Sequence, residues 1–190
     1  PMIFDAATAE ASLFEKSYDA CVIGSGPAGI TLARRLAAQG RRVALMEAGG
    51  LELTPESQEI YEGEITGLDY YPLDVARLRY FGGTSNHWGG WCHPLDAWDF
   101  TPHAWAPRSG WPIAKSDLDP YQAEADAILD LPPPPGWDDL EIPEAGRADF
   151  RHVLFRFSPP TRFAEKFRAE IEASPLIDLV LNANLVDLRL

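Results

Sequence analysis

Apolar residues fall in two short unbroken runs near the start of the chain, with a stretch of helical spacing between them. Ala20, Cys21, Val22 and Ile23 form the first run. A run of that kind suits a strand buried on both faces, and it predicts that Cys21 packs inside. Ile30, Leu32, Ala33 and Leu36 then recur as on one face of a helix. Gly40 supplies a stop, and Arg34, Arg35, Arg41 and Arg42 gather at the negative end of the helix dipole. Val43, Ala44, Leu45 and Met46 are the second run, so the pattern predicts strand, helix and a second, parallel strand.

Farther along, the pattern is sparser. Residues 6–14 suit a short helix covering one edge of the first strand. Residues 51–75 are polar and broken at Gly63 and Gly67, with room for a short helix over 56–61. Residues 92–115 are rich in Trp and Pro and have little periodicity. Ser116 is expected to start a helix, with Asp119 completing a capping box and Pro120 in the first turn. Tyr121, Ala125, Ile128 and Leu129 would form its buried stripe, and the prolines of 132–135 would end it in an extended run. Phe163, Phe167 and Ile171 share one face of a helix over 162–173. Residues 177–181 and 185–190 read as two further strands.

The junction between first strand and helix reads Gly24-Ser25-Gly26-Pro27-Ala28-Gly29. Each glycine answers a separate need. Gly24 turns the chain out of the strand. Gly26 allows backbone to approach a pyrophosphate with no Cβ in the way, and Gly29 allows the helix to lie close on the strand. Pro27 and Ala28 open the helix, whose free N–H groups would face the phosphates. Glu47, followed by Ala48, lies about twenty residues on, where an acid meets a ribose 2′-hydroxyl in such units. Glu47 would repel a 2′-phosphate. The fold class that follows is α/β, a Rossmann-like domain with a parallel sheet. NAD and FAD both remain open on this motif.

The whole-chain numbers narrow the partners. The 190 residues carry 16 basic and 29 acidic side chains, a net charge of -13. That excess argues against nucleic acid and against an anionic membrane surface. No apolar stretch approaches the length of a membrane span, and the N-terminus has no secretory pattern. Cys21 and Cys92 form neither a metal pattern nor a disulfide framework, which predicts a reducing, cytoplasmic setting. His87, His93 and His103 lack the partners that would complete a metal site.

A second glycine-dense loop, residues 82–90, reads GGTSNHWGG. Gly82, Gly83, Gly89 and Gly90 leave backbone amides and the small polar groups of Thr84, Ser85 and Asn86 free to approach a planar, polar-edged ring. Trp88 and Trp91 flank the loop, as they seldom do in a purely solvated turn. On residue type alone, His87 is a structural hydrogen bonder. It is also chemically able to act as a nucleophile toward an electrophilic cofactor methyl group.

Taken together, CVIGSGPAGITLARRLA, VALMEAGG and RYFGGTSNHWGGWCHPLDAWDF resemble the glucose-methanol-choline (GMC) flavoprotein oxidoreductases. SGWPIAKSDLDPYQAEA and NANLVDL extend the likeness, which runs from about Asp5 to the last residue. The resemblance implies a bipartite FAD domain with a second, substrate-contacting domain. It implies oxidation of an alcohol or sugar CH–OH group by hydride transfer to flavin N5. Carried over position by position, Gly24, Gly26 and Gly29 meet the pyrophosphate and Glu47 the adenosine ribose. Gly82, Gly83 and Thr84 line the middle of FAD, and Asn86, His87, Trp88, Gly89 and Gly90 lie near the isoalloxazine. Leu185 would offer a backbone contact to adenine, and Arg79 would face the cofactor from just upstream of the loop. Pyranose-2-oxidase-like members carry Thr-His-Trp with a flavin-linked His, so Asn86-His87-Trp88 raises an 8α-histidyl link, with Asn as the departure from that pattern.

The family's catalytic pair, a His with a second His or Asn, has no counterpart in these residues. The chain is therefore expected to be the N-terminal part of a larger enzyme, with no catalytic residue of its own and poor FAD binding in isolation. Residues 1–110 would be FAD-domain, 111–170 the start of a substrate domain and 171–190 a return to the FAD domain. A nicotinamide-dependent dehydrogenase is the alternative enzyme. A non-catalytic flavin-domain module, with its tryptophans as an interaction surface, is the alternative of another class.

Overall fold

The computed structural model describes residues 3–134 and 153–188. The elements are β1 (Ile3–Asp5), α1 (Ala11–Phe14), β2 (Ala20–Ile23), α2 (Pro27–Ala38), β3 (Val43–Met46), α3 (Pro55–Gln58), α4 (Leu73–Ala76), β4 (Trp91–Cys92), α5 (Lys115–Leu118), α6 (Gln122–Ile128), β5 (Arg156–Phe157), α7 (Phe163–Ala173) and β6 (Ile177–Leu181). They divide between two compact units, residues 1–87 with 162–190 and residues 88–161. The boundaries expected with the resemblance fall elsewhere, after residues 110 and 170. Compactness follows spatial neighbours and so returns the chain to the first unit already at Arg162.

In the first unit the strands pair in the order β1-β6-β3-β2, all parallel. Val22 lies under α2, because a Cβ at Gly29 would come 3.4 Å from its Cγ1. Side chains alternate along a strand. The register therefore puts Leu45, Ile177, Leu179 and Leu181 on the same face as Val22. Ile30 and Ala33 of α2, and Phe163, Phe167 and Ile171 of α7, are buried over that face. Arg34 ties the two helices, its guanidinium 3.9 Å from the Phe167 ring centroid and its Nε 2.8 Å from Glu170 Oε1. α2 ends in a Schellman turn: Gly40, at φ 78°, donates to the Ala37 carbonyl and Arg41 to the Leu36 carbonyl.

The opposite face is only partly covered. Leu13 of α1 is buried, and Asp178 accepts hydrogen bonds from Lys16 and Tyr18 on one oxygen. Toward β2 the cover stops. Cys21 and Ile23 are exposed, so the expectation of a packed Cys21 is corrected. β2 pairs with β3 and with no other strand among the described residues, and this leaves alternate side chains of an apolar edge strand in water.

Other expectations shift in detail. Only residues 11–14 of the stretch 6–14 are helical, because Asp5 draws the amides of Ala7, Thr8 and Ala9 into a turn. β1 itself escapes a pattern search, being three residues long. The helix over 56–61 is present as α3 followed by a 3-10 turn, capped by Thr54 Oγ1 on the Ser57 amide. α4 was not expected. No strand forms over residues 185–188, and 189–190 lie outside the described residues.

In the second unit β4 and β5 pair antiparallel. The helix expected at Ser116 begins at Lys115, where Asp117 Oδ2 accepts the Ala114 amide; Ser116 and Asp119 are not its cap. At Asp119-Pro120-Tyr121 it narrows to a 3-10 turn before α6, where the proline lacks an N–H. The expected buried stripe does not form: Tyr121 and Ala125 are exposed, and Ile128 and Leu129 are half-buried. Among the described residues of this unit, Phe100 is the buried apolar side chain. Residues 132–134 carry no regular structure, and Pro135 falls outside the described residues.

Candidate functional site

The first glycine loop leaves β2 at Gly24, whose φ of 95° requires glycine and whose amide donates to the Met46 carbonyl. Gly29 is required for a different reason. A Cβ there would sit 1.8 Å from the Gly24 carbonyl oxygen. At Gly26 a Cβ would meet no protein atom within 4 Å. Gly26 is the extended residue that caps α2, and Pro27 occupies the first turn with Ala28 beside it. Gly24 and Gly26 thus present bare backbone where α2 begins, and that is the cradle a dinucleotide diphosphate needs.

Glu47 stands at the end of β3 and is 6% exposed. Its Oε2 accepts the Ser25 amide at 3.0 Å and the Ser25 hydroxyl at 2.5 Å, while Oε1 accepts the Gly49 amide at 2.9 Å. The carboxylate is therefore tied to the middle of the glycine loop. Ala48 follows it, and the Ala183 amide donates to the Glu47 carbonyl. Sequence reasoning passed over Ser25. The signal was its place between the two glycines, at the end of the strand that pairs with the acid's strand.

The second glycine loop lies against the first. The Gly82 amide donates to the Ser25 carbonyl at 3.1 Å. A Cβ on Gly83 would come 3.2 Å from the Gly26 Cα. Gly82, at φ 91°, has no room for a side chain, since a Cβ would lie 2.7 Å from Ala164 Cβ. Residues 83–86 form a 3-10 turn held by Ser85, whose Oγ donates to the Gly82 carbonyl and accepts the Phe163 amide. Thr84 Oγ1 accepts the Leu78 amide, and Asn86 Nδ2 donates to the Phe81 carbonyl. His87 is exposed at the end of that turn. So residues 82 and 83, which open this loop, lie against residues 25 and 26 of the first.

Trp88, Gly89 and Gly90 belong to the second unit. Trp88 Nε1 donates to the Thr161 carbonyl, and a Cβ on Gly90 would lie 2.5 Å from the Ser158 carbonyl oxygen. Nearby, Arg156 is 2.7 Å from Asp126 Oδ1. The Arg156 hydrogen bond holds the Asp126 carboxyl below its ordinary range, and burial pushes the Cys92 thiol up.

Arg79 is buried, with its guanidinium donating to Ser57 and to Asn184 Oδ1 at 2.7 Å. It knits residues 57, 79 and 184 together. Leu185 is 51% exposed and, with Ala6, Cys21, Ile23, Met46, and Asn182–Asn184 between them, lines a cleft of about 350 Å³ on the less covered face of the sheet.

Comparison with known proteins bears on this loop arrangement. Residues 22–51 match the description NAD(P)-binding Rossmann-like domain. The fold is Rossmann-like. The chain is also similar to a 2-methyl-1,2-propanediol dehydrogenase of Mycolicibacterium austroafricanum, with 30% identity over 134 aligned residues. That alignment covers 60% of this chain, and the chain spans 24% of the relative's length. Among the described residues no helix is long and apolar enough to cross a membrane.

Proposed function

We propose that this chain is the cofactor-holding part of an FAD-dependent oxidoreductase of the GMC type, which oxidises an alcohol or sugar CH–OH group. The observation that carries the reading is the contact between the two glycine loops, with Gly82 on Ser25 and Gly83 on Gly26. A nicotinamide dehydrogenase would share the first loop but does not require a second loop of the GGTSNHWGG kind. A second small-residue loop beside the diphosphate cradle suits a larger cofactor that continues past it. The name of the similar dehydrogenase supports the reaction class.

In this reading FAD, when bound, supplies the hydride acceptor at flavin N5. The chain's residues bind and orient. Gly24, Gly26 and Gly29 shape the cradle for the diphosphate, with Pro27 and Ala28 opening the helix over it. Glu47 accepts a hydrogen bond from the adenosine ribose, beside Ala48. Gly82, Gly83 and Thr84 line the middle of the cofactor, and Asn86, Trp88, Gly89 and Gly90 approach its ring. Leu185 offers backbone to adenine, and Arg79 steadies the segment that leads there. The exposed imidazole of His87 is the candidate for a covalent 8α link. No residue of this chain is assigned as the base that takes the alcohol proton. A small alcohol or sugar, and the remaining part of the enzyme, are the partners this reading requires.

The test is a visible spectrum of the protein made from its complete reading frame. The expected result is a yellow protein whose flavin bands bleach when an oxidisable alcohol is added without oxygen. A colourless protein that reduces NAD would replace this reading with the nicotinamide dehydrogenase. A protein without either cofactor would make it a non-catalytic module. Acid precipitation checks the link: colour in the pellet supports His87 attachment, and a colourless pellet with all flavin in the supernatant ends it.

A further inference from the structure

Ser25 is fully buried, and its side chain is spent on Glu47. A carboxylate oxygen has two lone-pair positions. On Glu47 Oε2 both are filled, by the Ser25 amide and the Ser25 hydroxyl. On Oε1 one is filled, by the Gly49 amide. Among the described residues no donor fills the remaining acceptor position, and it is on Oε1. Donors from both sides also fix the carboxylate plane, because Ser25 and Gly49 belong to different turns.

We propose that Ser25 is a positioning residue for Glu47, holding the carboxylate so that it accepts one ribose hydroxyl at Oε1 and reads the sugar's 2′ position from there. The inference rests on the dinucleotide reading of the loop, but not on the choice between flavin and nicotinamide, since both cofactors carry an adenosine diphosphate. The hydroxyl does what the Ser25 amide alone does not: it closes the second position on Oε2. Without it the two backbone amides still hold the carboxylate, but the second position on Oε2 opens and either oxygen can accept from the ligand. Discrimination between hydroxyl and hydrogen at the 2′ position then declines, even where overall binding survives.

The experiment measures ADP and 2′-deoxy-ADP binding by calorimetry. It uses apoprotein from the complete reading frame, with His87→Ala in every sample so that bound cofactor can be removed. The parent protein is expected to favour ADP about tenfold, the scale of one charge-assisted hydrogen bond. Ser25→Ala is expected to bring that ratio within about twofold, and Ser25→Thr, which keeps a hydroxyl, to restore it. Glu47→Gln, which keeps the shape, is a second route to a reduced ratio. If Ser25→Ala weakens both nucleotides equally and leaves the ratio at the parent value, Ser25 is a packing residue and the proposal is wrong. A parent protein that binds both nucleotides equally also overturns it, while leaving the diphosphate cradle intact. Binding of neither removes the dinucleotide reading itself.

Discussion

The glycines of one short motif do different work, and substitution separates them. At Gly29 the obstacle is protein: an added methyl meets the Gly24 carbonyl oxygen at 1.8 Å. Gly29→Ala is expected to cost about 3 kcal/mol, measured by chemical denaturation, because the strand-to-helix turn must open. Gly26 has ordinary extended geometry and open space around it. Gly26→Ala is expected to stay within about 0.5 kcal/mol of the parent in stability and to lose cofactor occupancy instead. Tyr18 illustrates a titrating contribution. Burial, and then its hydrogen bond to Asp178, push its hydroxyl up to about 12 from the usual 10.0. A raised value means that the folded chain keeps the proton longer. The stabilisation is complete below the ordinary value and is lost as pH rises through the folded one. Thermal melts between about pH 10 and 12 should show a fall that Tyr18→Phe flattens.

At the scale of elements, α7 anchors the sheet through one apolar face. Phe163, Phe167 and Ile171 are buried there, so Ile171→Ala is expected to cost about 2–5 kcal/mol by denaturant titration. This helix was legible because its face repeats at three to four residues over three turns. The same logic failed for α5 and α6, where Pro120 splits the run and Tyr121 and Ala125 turn to water. There the link between elements is ionic: Arg156 of β5 meets Asp126 of α6. Asp126 is held below its ordinary value, so its stabilisation is present above about pH 4 and is lost as pH falls through the depressed folded value. Tryptophan fluorescence on acidification should show a transition that Asp126→Asn makes shallower.

Over the whole molecule, the strand–helix–strand unit and both glycine loops could be read from spacing, since local geometry demands those residues. What could not be read depended on neighbours far along the chain. Nothing in the local pattern of residues 20–23 says that β2 stands at the sheet's edge with Cys21 and Ile23 uncovered. Nor does it show that Arg79 would be engaged by Ser57 and Asn184. An apolar edge strand is a template for pairing with another chain. The 190-residue chain alone is therefore expected to self-associate with rising concentration in sedimentation runs, and Ile23→Lys to suppress this with little loss of stability.

The same uncovered side carries a built-in reporter. The Cys21 thiol is open to reagents in this chain. A maleimide dye would mark it quickly here and slowly once any other segment or subunit lies across β2. Read in a Cys92→Ser background, so that the half-buried second thiol adds no signal, the labelling rate of this one sulfur measures how much of the sheet is clothed.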